Sequence, residues 1–209
     1  MPTSERKVSL EYIAHYTRKF ENLCSILESH HFQIHYCLEN YCFIKKGLHI
    51  HIPMVCFTDL PNGISGKHKR RYGNYAIVFN KEWATNKHIS PILYLRKDGQ
   101  FTDTIRKIYK QSDASINNEL FAFCKPYCAR YYDHKKGKWS ENNRRFYDER
   151  EWRYVPKDYL KYSGSYLYQD EVLDFELSDI EKIYVPNTKN AEDISIKHPS
   201  LKEKIQIIK

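Results

Sequence analysis

The chain has 209 residues, of which 41% are hydrophobic and 15% aromatic, so it can bury a core and is not a disordered chain. Lysine and arginine outnumber aspartate and glutamate by 34 to 26, which gives a net charge of +8. This balance favours polyanionic partners or a phosphate-bearing ligand, although it also serves solubility. No window approaches a membrane span, so we expect no membrane partner.

The six cysteines belong to a chain whose first residues, MPTSERKVSLEYIAHY, lack the apolar core of a signal peptide. We therefore expect a cytoplasmic protein with free thiols. Neither Cys37 with Cys42 nor Cys124 with Cys128 has the spacing and the nearby histidines of a structural zinc site. The sequence therefore predicts no metal.

The first half of the chain is predicted to alternate between strands and helices. LEYIAHYT predicts a strand, and RKFENLCSILESHHF predicts a helix because its apolar residues recur at helical spacing and Thr17 can cap the first turn. HIPMVCFTDLP predicts a strand, which runs into the loop NGISGKHKRRYG. NYAIVF and ISPILYLR predict two further strands, and NKEWATN predicts a short helix between them.

The second half of the chain predicts one long helix over roughly residues 103–130, interrupted near Pro126. A polar loop, DHKKGKWSENN, leads to an extended segment over residues 146–155, and VLDFEL, IEKIYVP and EKIQIIK predict the last strands. Helices placed this irregularly indicate an α+β fold rather than a doubly wound sheet. We expect a single domain over residues 1–209, with a mixed or antiparallel split sheet of about six or seven strands and a few helices.

The segment FYDEREWRYVP, residues 146–156, holds the densest chemistry of the chain. If it is extended, Glu149 and Glu151 project from one face, roughly 7 Å apart along the strand. Such a pair suits acid and base roles, because proximity raises the pKa of one carboxyl relative to that of the other. The alternative is a solvated strand face on which Arg153 neutralises Glu151. The polar strand ends at His15 and Thr58 favour the first interpretation if all three ends converge on one pocket.

A basic run lies in the predicted loop NGISGKHKRRYG. Its cationic residues can receive a pyrophosphate or a nucleic-acid backbone, or they can simply be solvated. The predicted phosphate or nucleic-acid contacts are Lys67, Lys69, Arg70 and Arg71.

Three blocks of this sequence resemble the ADP-ribosyltransferase fold. The first is His15-Tyr16-Thr17 with the following ENL and SIL, and the second is CFTD at residues 56–59. The third is the E-x-E-W-R strand at residues 149–153, whose spacing is similar to that of arginine-directed transferases. The middle block has one hydroxyl, at Thr58, where the family has a triplet of hydroxyl residues, so the fold can be retained while catalysis is lost.

This resemblance implies NAD as a substrate, cleaved through an oxocarbenium-like ribose that a nearby carboxylate stabilises. It implies that Glu151 holds the ribose 2′-hydroxyl and that Glu149 orients or deprotonates the acceptor. The residues that it implies for NAD binding are His15 on the adenosine ribose, Thr17 in the supporting turn, Thr58 as a brace for Glu151, and Tyr72 or Tyr75 stacked on nicotinamide.

Over nearly its full length the chain is similar to the AbiGi family of abortive phage-resistance proteins. The shared blocks are HYT, IPMVCFTDLP, YGNYAIVFNKEWA, ISPILYL and DEREWRYVP. Two functions stay open. One is a phage-defence transferase that moves ADP-ribose from NAD to a nucleic-acid or protein acceptor. The other, which the AbiGi resemblance implies, is a catalytically inactive, antitoxin-like binding protein that neutralises a partner nucleotidyltransferase toxin.

Overall fold

The computed structural model describes residues 11–59, 66–112, 119–133, 136–157 and 171–208. The chain divides into two compact units. Unit 1 comprises residues 1–33, 56–89 and 172–209, and unit 2 comprises residues 34–55 and 90–171. An α+β class with a mixed sheet and several helices is confirmed. The ADP-ribosyltransferase-like form and the single domain over residues 1–209 stay predictions.

The helices and strands of the described residues are numbered in chain order. The helices are α1 (Phe20–Ser29), α2 (Gly66–Tyr72), α3 (Lys81–Asn86), α4 (Gln100–Gln111) and α5 (Thr188–Lys197). The strands are β1 (Tyr12–Thr17), β2 (His31–Gln33), β3 (His35–Asn40), β4 (His49–Asp59), β5 (Tyr75–Asn80), β6 (Ser90–Pro91), β7 (Leu93–Leu95), β8 (Cys124–Pro126), β9 (Cys128–Ala129), β10 (Tyr132–Asp133), β11 (Lys138–Trp139), β12 (Arg144–Arg145), β13 (Glu151–Tyr154), β14 (Val172–Asp174), β15 (Ile180–Val185) and β16 (Ile205–Ile207). Short 3₁₀ turns occupy Phe146–Glu149, Leu177–Asp179 and Pro199–Lys204.

Unit 1 is built on a sheet with the strand order β16-β15-β5-β1-β4, to which β4 contributes its last residues. β15 and β16 are parallel, and the other neighbours are antiparallel. The central strand β5 is apolar on both faces, since Ala76, Ile77, Val78 and Phe79 are all buried. An aromatic core packs beside it, formed by Phe32, Phe57, Phe79, Trp83 and Phe175.

Unit 2 is assembled from short strand pairs. β3 runs antiparallel to the first residues of β4, with His35 opposite Met54 and Asn40 opposite His49. β13 is antiparallel to β6, and β7 is parallel to β8. The antiparallel pairs β9 with β12 and β10 with β11 form a two-stranded ribbon. The buried apolar residues of this unit include Tyr41, Phe43, Ile52, Ile105 and Phe121.

The structure corrects the prediction of an extended segment over residues 146–155. Phe146–Glu149 forms a 3₁₀ turn, and Arg150 at φ 45° takes the left-handed conformation before β13 begins at Glu151. The ion pair between Arg145 and Asp148 spans three residues, a spacing that a helical turn brings together. Glu149 and Glu151 therefore do not share the face of one strand.

The long helix predicted over residues 103–130 is also wrong. α4 ends at Gln111, residues 119–122 are helical, and β8 and β9 follow. The apolar run that suggested a helix is a buried strand, because β8 pairs with β7 at Leu93 opposite Cys124.

Smaller corrections concern loops and caps. The predicted loop NGISGKHKRRYG contains α2, whose residues 66–68 are described in backbone only, and the polar loop DHKKGKWSENN contains β11. Thr17 does not cap α1, because Lys19 occupies the cap position without a side-chain hydrogen bond. ISPILYLR forms two short strands separated at Ile92, and α5, capped by Asn187, was not predicted from the sequence.

Candidate functional site

The candidate site is a group of buried charges in unit 2, which we call the charge cluster. β13 contributes two members two residues apart, and the others come from β3, β8, β12 and the 3₁₀ turn before β13. Its members are Glu39, Lys125, Arg144, Glu149, Glu151 and Arg153. All of its members except Arg144 expose 9% or less of their surface, which is unusual for charged residues unless they are paired.

Glu151 lies between two cations. Its Oε1 accepts a hydrogen bond from Arg153 Nε at 2.7 Å, and its Oε2 accepts one from Lys125 Nζ at 2.7 Å. Its backbone N–H donates to the hydroxyl of Tyr94 at 2.8 Å. Both carboxylate oxygens and the amide of Glu151 are therefore engaged within unit 2.

The remaining contacts join the other members of the cluster. Lys125 Nζ also lies 3.1 Å from Glu149 Oε2 and 3.8 Å from Glu39 Oε1. Arg153 donates from Nη2 to Glu39 Oε1 at 2.9 Å and from Nη1 to the carbonyl of Ala122 at 2.7 Å.

Arg144 lies at the edge of the cluster, with its Nη1 3.4 Å from Glu149 Oε1. Three carboxylates therefore face three cations among the described residues, and each charge has an oppositely charged neighbour. Such a balanced group avoids the large free-energy cost of an isolated buried charge.

The surroundings keep Glu151 and Lys125 charged. Burial by itself would raise the pKa of Glu151, but the attraction of Arg153 and then of Lys125 outweighs it and holds that pKa far below its usual range. Burial by itself would lower the pKa of Lys125, whereas the nearby carboxylates, led by Glu151, raise it well above its usual value. Burial also raises the pKa of Tyr94 above its usual value, so this tyrosine stays neutral.

The geometry of Glu151 limits its chemistry. A carboxylate that holds a ribose hydroxyl and stabilises a ribosyl cation needs an oxygen directed at the substrate. Here each oxygen accepts a short hydrogen bond from a cation. The arrangement suits a structural network that holds β3, β8 and β13 together. The catalytic roles of Glu149 and Glu151 stay predictions.

His15 lies in unit 1, where pairing between β1 and β4 brings it beside the CFTD segment. Its Nδ1 donates to the carbonyl of Cys56 at 3.0 Å. Its ring packs 4.7 Å from Phe32 and 5.8 Å from Phe57, measured between ring centroids. Thr17 and Thr58 are both buried. Since Glu149 and Glu151 belong to unit 2, the convergence of all three strand ends stays a prediction.

The two tyrosines predicted to stack on nicotinamide flank the turn after α2. Tyr72 is its last residue, and Tyr75 begins β5. The hydroxyl of Tyr75 donates to Asn190 Oδ1 at 3.3 Å, and its ring centroid lies 5.7 Å from that of Phe20. These contacts are structural, and the stacking role stays a prediction.

The predicted phosphate contacts lie on α2. Arg70 is exposed, whereas Lys69 and Arg71 are partly buried. The carbonyl of Arg71 accepts a hydrogen bond from Arg18 Nε at 3.2 Å. The side chain of Lys67 is outside the described residues, and phosphate binding by this group stays a prediction.

Sequence reasoning missed the partners that surround Glu151. Lys125 and Glu39 were not singled out, although Lys125 lies within the apolar run FAFCKPY, residues 121–127. A lone lysine in a buried strand needs a carboxylate partner, so this run carried a usable signal. Glu39 had no such signal, since it is the only buried residue of β3 and its neighbours in that strand are exposed or partly buried.

In residues 11–59, 66–112, 119–133, 136–157 and 171–208, no group of three or more histidine, cysteine, aspartate or glutamate side chains is placed to hold a metal ion. Within the same ranges, no helix is long and apolar enough to cross a membrane.

Comparison with known proteins identifies relatives of the chain. The family model described as "Putative abortive phage resistance protein AbiGi, antitoxin" matches residues 30–200. The abortive phage resistance protein AbiGi of Lactococcus lactis subsp. cremoris is 27% identical over 187 residues, covering 69% of this chain and 75% of that protein. No solved structure matches the chain. The family match covers most of the sequence and includes every member of the charge cluster, so the chain belongs to the AbiGi family of abortive phage-resistance proteins.

Proposed function

We propose that this protein acts in abortive infection as an antitoxin, that is, as a binding protein that restrains a partner toxin. The observation that carries the proposal is the engagement of both Glu151 oxygens by Arg153 and Lys125 inside a balanced, buried network. The segment that most resembles a transferase site thus has the contacts of a structural core. A binding protein requires such a core and does not require a carboxylate directed at a substrate.

The description of the matching family supports the same proposal, since it includes the word antitoxin. The partner would be a protein toxin, and the family resemblance implies one of nucleotidyltransferase type. A surplus of basic residues on this chain favours a partner with an acidic surface, because complementary charge speeds association and fixes orientation.

An NAD-consuming ADP-ribosyltransferase is the competing account. It requires the charge cluster to release Glu151 when NAD binds, which would leave Arg153 and Lys125 each with one fewer buried partner. Releasing a buried ion pair costs about 3–5 kcal/mol, which NAD binding would have to offset.

The test expresses the protein encoded by the neighbouring gene of the native genome, alone and together with this chain, in a bacterial host. We expect the neighbour alone to arrest growth, co-expression to restore growth, and the two proteins to co-purify. In parallel, the purified chain is incubated with NAD and cell lysate, and nicotinamide release is measured. We expect no release above that of the lysate alone.

Glu151→Gln and Asp148→Asn are the matched variants, since both convert a carboxylate to an amide within one short segment. Nicotinamide release that is lost in folded Glu151→Gln and kept in Asp148→Asn would overturn the antitoxin proposal in favour of the transferase. Failure of the wild-type chain to restore growth or to co-purify would also contradict it.

A further inference from the structure

The two-stranded ribbon of unit 2, residues 128–133 and 136–145, has the composition of a nucleic-acid-binding surface. It carries five lysines and arginines against two acidic residues, a surplus of three positive charges. Three aromatic residues, Tyr131, Tyr132 and Trp139, are interleaved with these cations. Basic side chains follow a phosphate backbone and aromatic rings stack on unpaired bases, so this combination favours single-stranded nucleic acid.

Backbone pairing fixes the ribbon. Cys128 lies opposite Arg145 and Ala129 opposite Arg144 in the β9–β12 pair, and Tyr132 lies opposite Trp139 in the β10–β11 pair. The backbone N–H of Ser140 donates to the carbonyl of Tyr131 at 2.8 Å and so connects the two pairs. Gly137, directly before β11, has φ 61°, which glycine adopts without strain.

The ribbon holds an aromatic platform around Trp139. The imidazole of His49 stacks on the indole, with ring centroids 4.7 Å apart and planes 28° apart. Tyr132 meets the same indole edge-on at 5.6 Å. These two ring contacts hold the indole of Trp139 in place. Because Trp139 remains partly exposed, its indole can still accept a base.

Cations are spread along the same ribbon. Arg130, Lys136, Lys138 and Arg145 are exposed, and the guanidinium of Arg144 lies 4.0 Å from the ring centroid of Tyr131. Among the carboxylates, Glu141 lies 4.0 Å from Lys138 and Asp148 lies 2.7 Å from Arg145. These are exposed pairs, which solvent weakens, so they leave most of the positive potential available to a phosphate backbone.

The ribbon is anchored to the rest of unit 2. Asn40 Nδ2 donates to the carbonyl of Arg130 at 3.3 Å, and Arg144 contacts Glu149 of the charge cluster. A rigid base of this kind lowers the entropy lost when a ligand orders the platform.

We propose that the ribbon of residues 128–133 and 136–145 binds single-stranded nucleic acid, with Trp139 and Tyr132 stacking on bases and the exposed cations of the ribbon contacting phosphates. This site is separate from the basic run on α2 and goes beyond the antitoxin function, because it gives the chain a second class of ligand. Double-stranded nucleic acid fits less well, since its bases are already stacked on each other.

The test measures fluorescence anisotropy of fluorescein-labelled single-stranded RNA and DNA of about 16 nucleotides, and of the matching duplexes, with the full chain at low salt. We expect the single strands to bind more tightly than the duplexes and to quench tryptophan fluorescence. Trp139→Ala should weaken single-strand binding about tenfold or more, whereas Trp139→Phe, which keeps an aromatic face, should retain most of it.

A charge test uses two double variants that each remove two positive charges. Lys136→Gln with Lys138→Gln should lower the dependence of log affinity on log salt by about 0.7 for each phosphate that is no longer neutralised. Lys107→Gln with Lys110→Gln on α4 should leave this dependence unchanged. Circular dichroism and thermal unfolding establish that each variant is folded.

The proposal is overturned if the wild type binds no single strand, or if folded Trp139→Ala binds as tightly as the wild type. Equal binding of single strands, duplexes and heparin with no effect of Trp139→Ala would also overturn it, since that pattern needs only net charge.

Discussion

At the scale of single residues, Glu151 depends on the two cations that surround it. Burial of its carboxylate is unfavourable, and Arg153 and Lys125 compensate through hydrogen bonds of 2.7 Å each. Removing one charge of such a group costs more than the group contributes, because the remaining charges lose a partner while staying buried. Asp148, three residues before Glu151, forms an exposed ion pair with Arg145, and this pair serves as the comparison for the buried one.

Glu151→Gln is therefore expected to lower the free energy of unfolding by about 3–5 kcal/mol at pH 7. Asp148→Asn should lower it by about 1 kcal/mol or less, because its ion pair is exposed to solvent. Urea unfolding followed by circular dichroism measures both. Equal and small losses in the two variants would show that the charge cluster contributes little to stability.

The stability that Glu151 and Lys125 contribute depends on pH. The pKa of Glu151 is lowered by folding, so its contribution is fully present above its unfolded pKa of about 4.3 and is lost as pH falls toward the folded pKa. The pKa of Lys125 is raised by folding, so its contribution is present below about 10.4 and is lost as pH rises toward the folded pKa. The difference in stability between wild type and Glu151→Gln should stay level between about pH 5 and pH 9 and narrow below about pH 4.

At the scale of elements, the turn after α2 shows how one glycine positions a helix. Gly73 donates its N–H to the carbonyl of Lys69 at 2.9 Å and so ends the helix. It has φ +115°, and a Cβ at this position would lie 2.0 Å from the carbonyl oxygen of Thr17. Only glycine allows the chain to pass this close to the end of β1.

Gly73→Ala is expected to destabilise the protein by roughly 2–6 kcal/mol, from backbone strain together with the clash against Thr17. Gly137→Ala is the matched control, because Gly137 also has positive φ, at +61°, but has nothing within 4 Å of its Cβ position. This control should cost about 1 kcal/mol. Thermal unfolding compares the two, and a similar cost for both would contradict the close approach of Gly73 to β1.

At the scale of the whole molecule, the six cysteines are distributed over both units and none forms a disulfide. Cys42 and Cys128 are exposed, whereas Cys124 is buried in β8. Burial raises the pKa of Cys124 to about 11, with Arg153 opposing the shift. Since the thiolate is the reactive form, exposure and pKa together order the reactivity of these thiols.

We expect six thiols to react with Ellman's reagent in the denatured, unreduced protein. In the native protein at pH 8, Cys42 and Cys128 should react fastest and Cys124 slowest. Cys128→Ser should remove one fast-reacting thiol, and Cys124→Ser should leave the fast phase unchanged. Fewer than six thiols in the denatured protein would reveal a disulfide.

Much of the secondary structure follows from local patterns. The strand predicted at NYAIVF, the helix behind it and the helix over RKFENLCSILESHHF are all confirmed, because their apolar periodicity agrees with their final burial. The predictions failed at FYDEREWRYVP and FAFCKPY, whose charged residues Glu149 and Glu151 pair with Lys125 across 24 to 26 residues of chain. The aromatic content of FYDEREWRYVP favoured a strand, yet the buried Glu149 comes from a turn.

By itself, the sequence determined the α+β class and the blocks that it shares with the AbiGi family, and it offered the pairing of Arg153 with Glu151 as one of two interpretations of FYDEREWRYVP. Only the tertiary structure decided that Lys125 and Glu39 belong to the charge cluster. It also decided that one carboxylate oxygen of Glu151 contacts Arg153 and the other contacts Lys125. Glu39 and Arg153 are 114 residues apart in the chain. Local periodicity reports which face of a strand is buried, whereas the neutralisation of a buried charge depends on which distant strands meet.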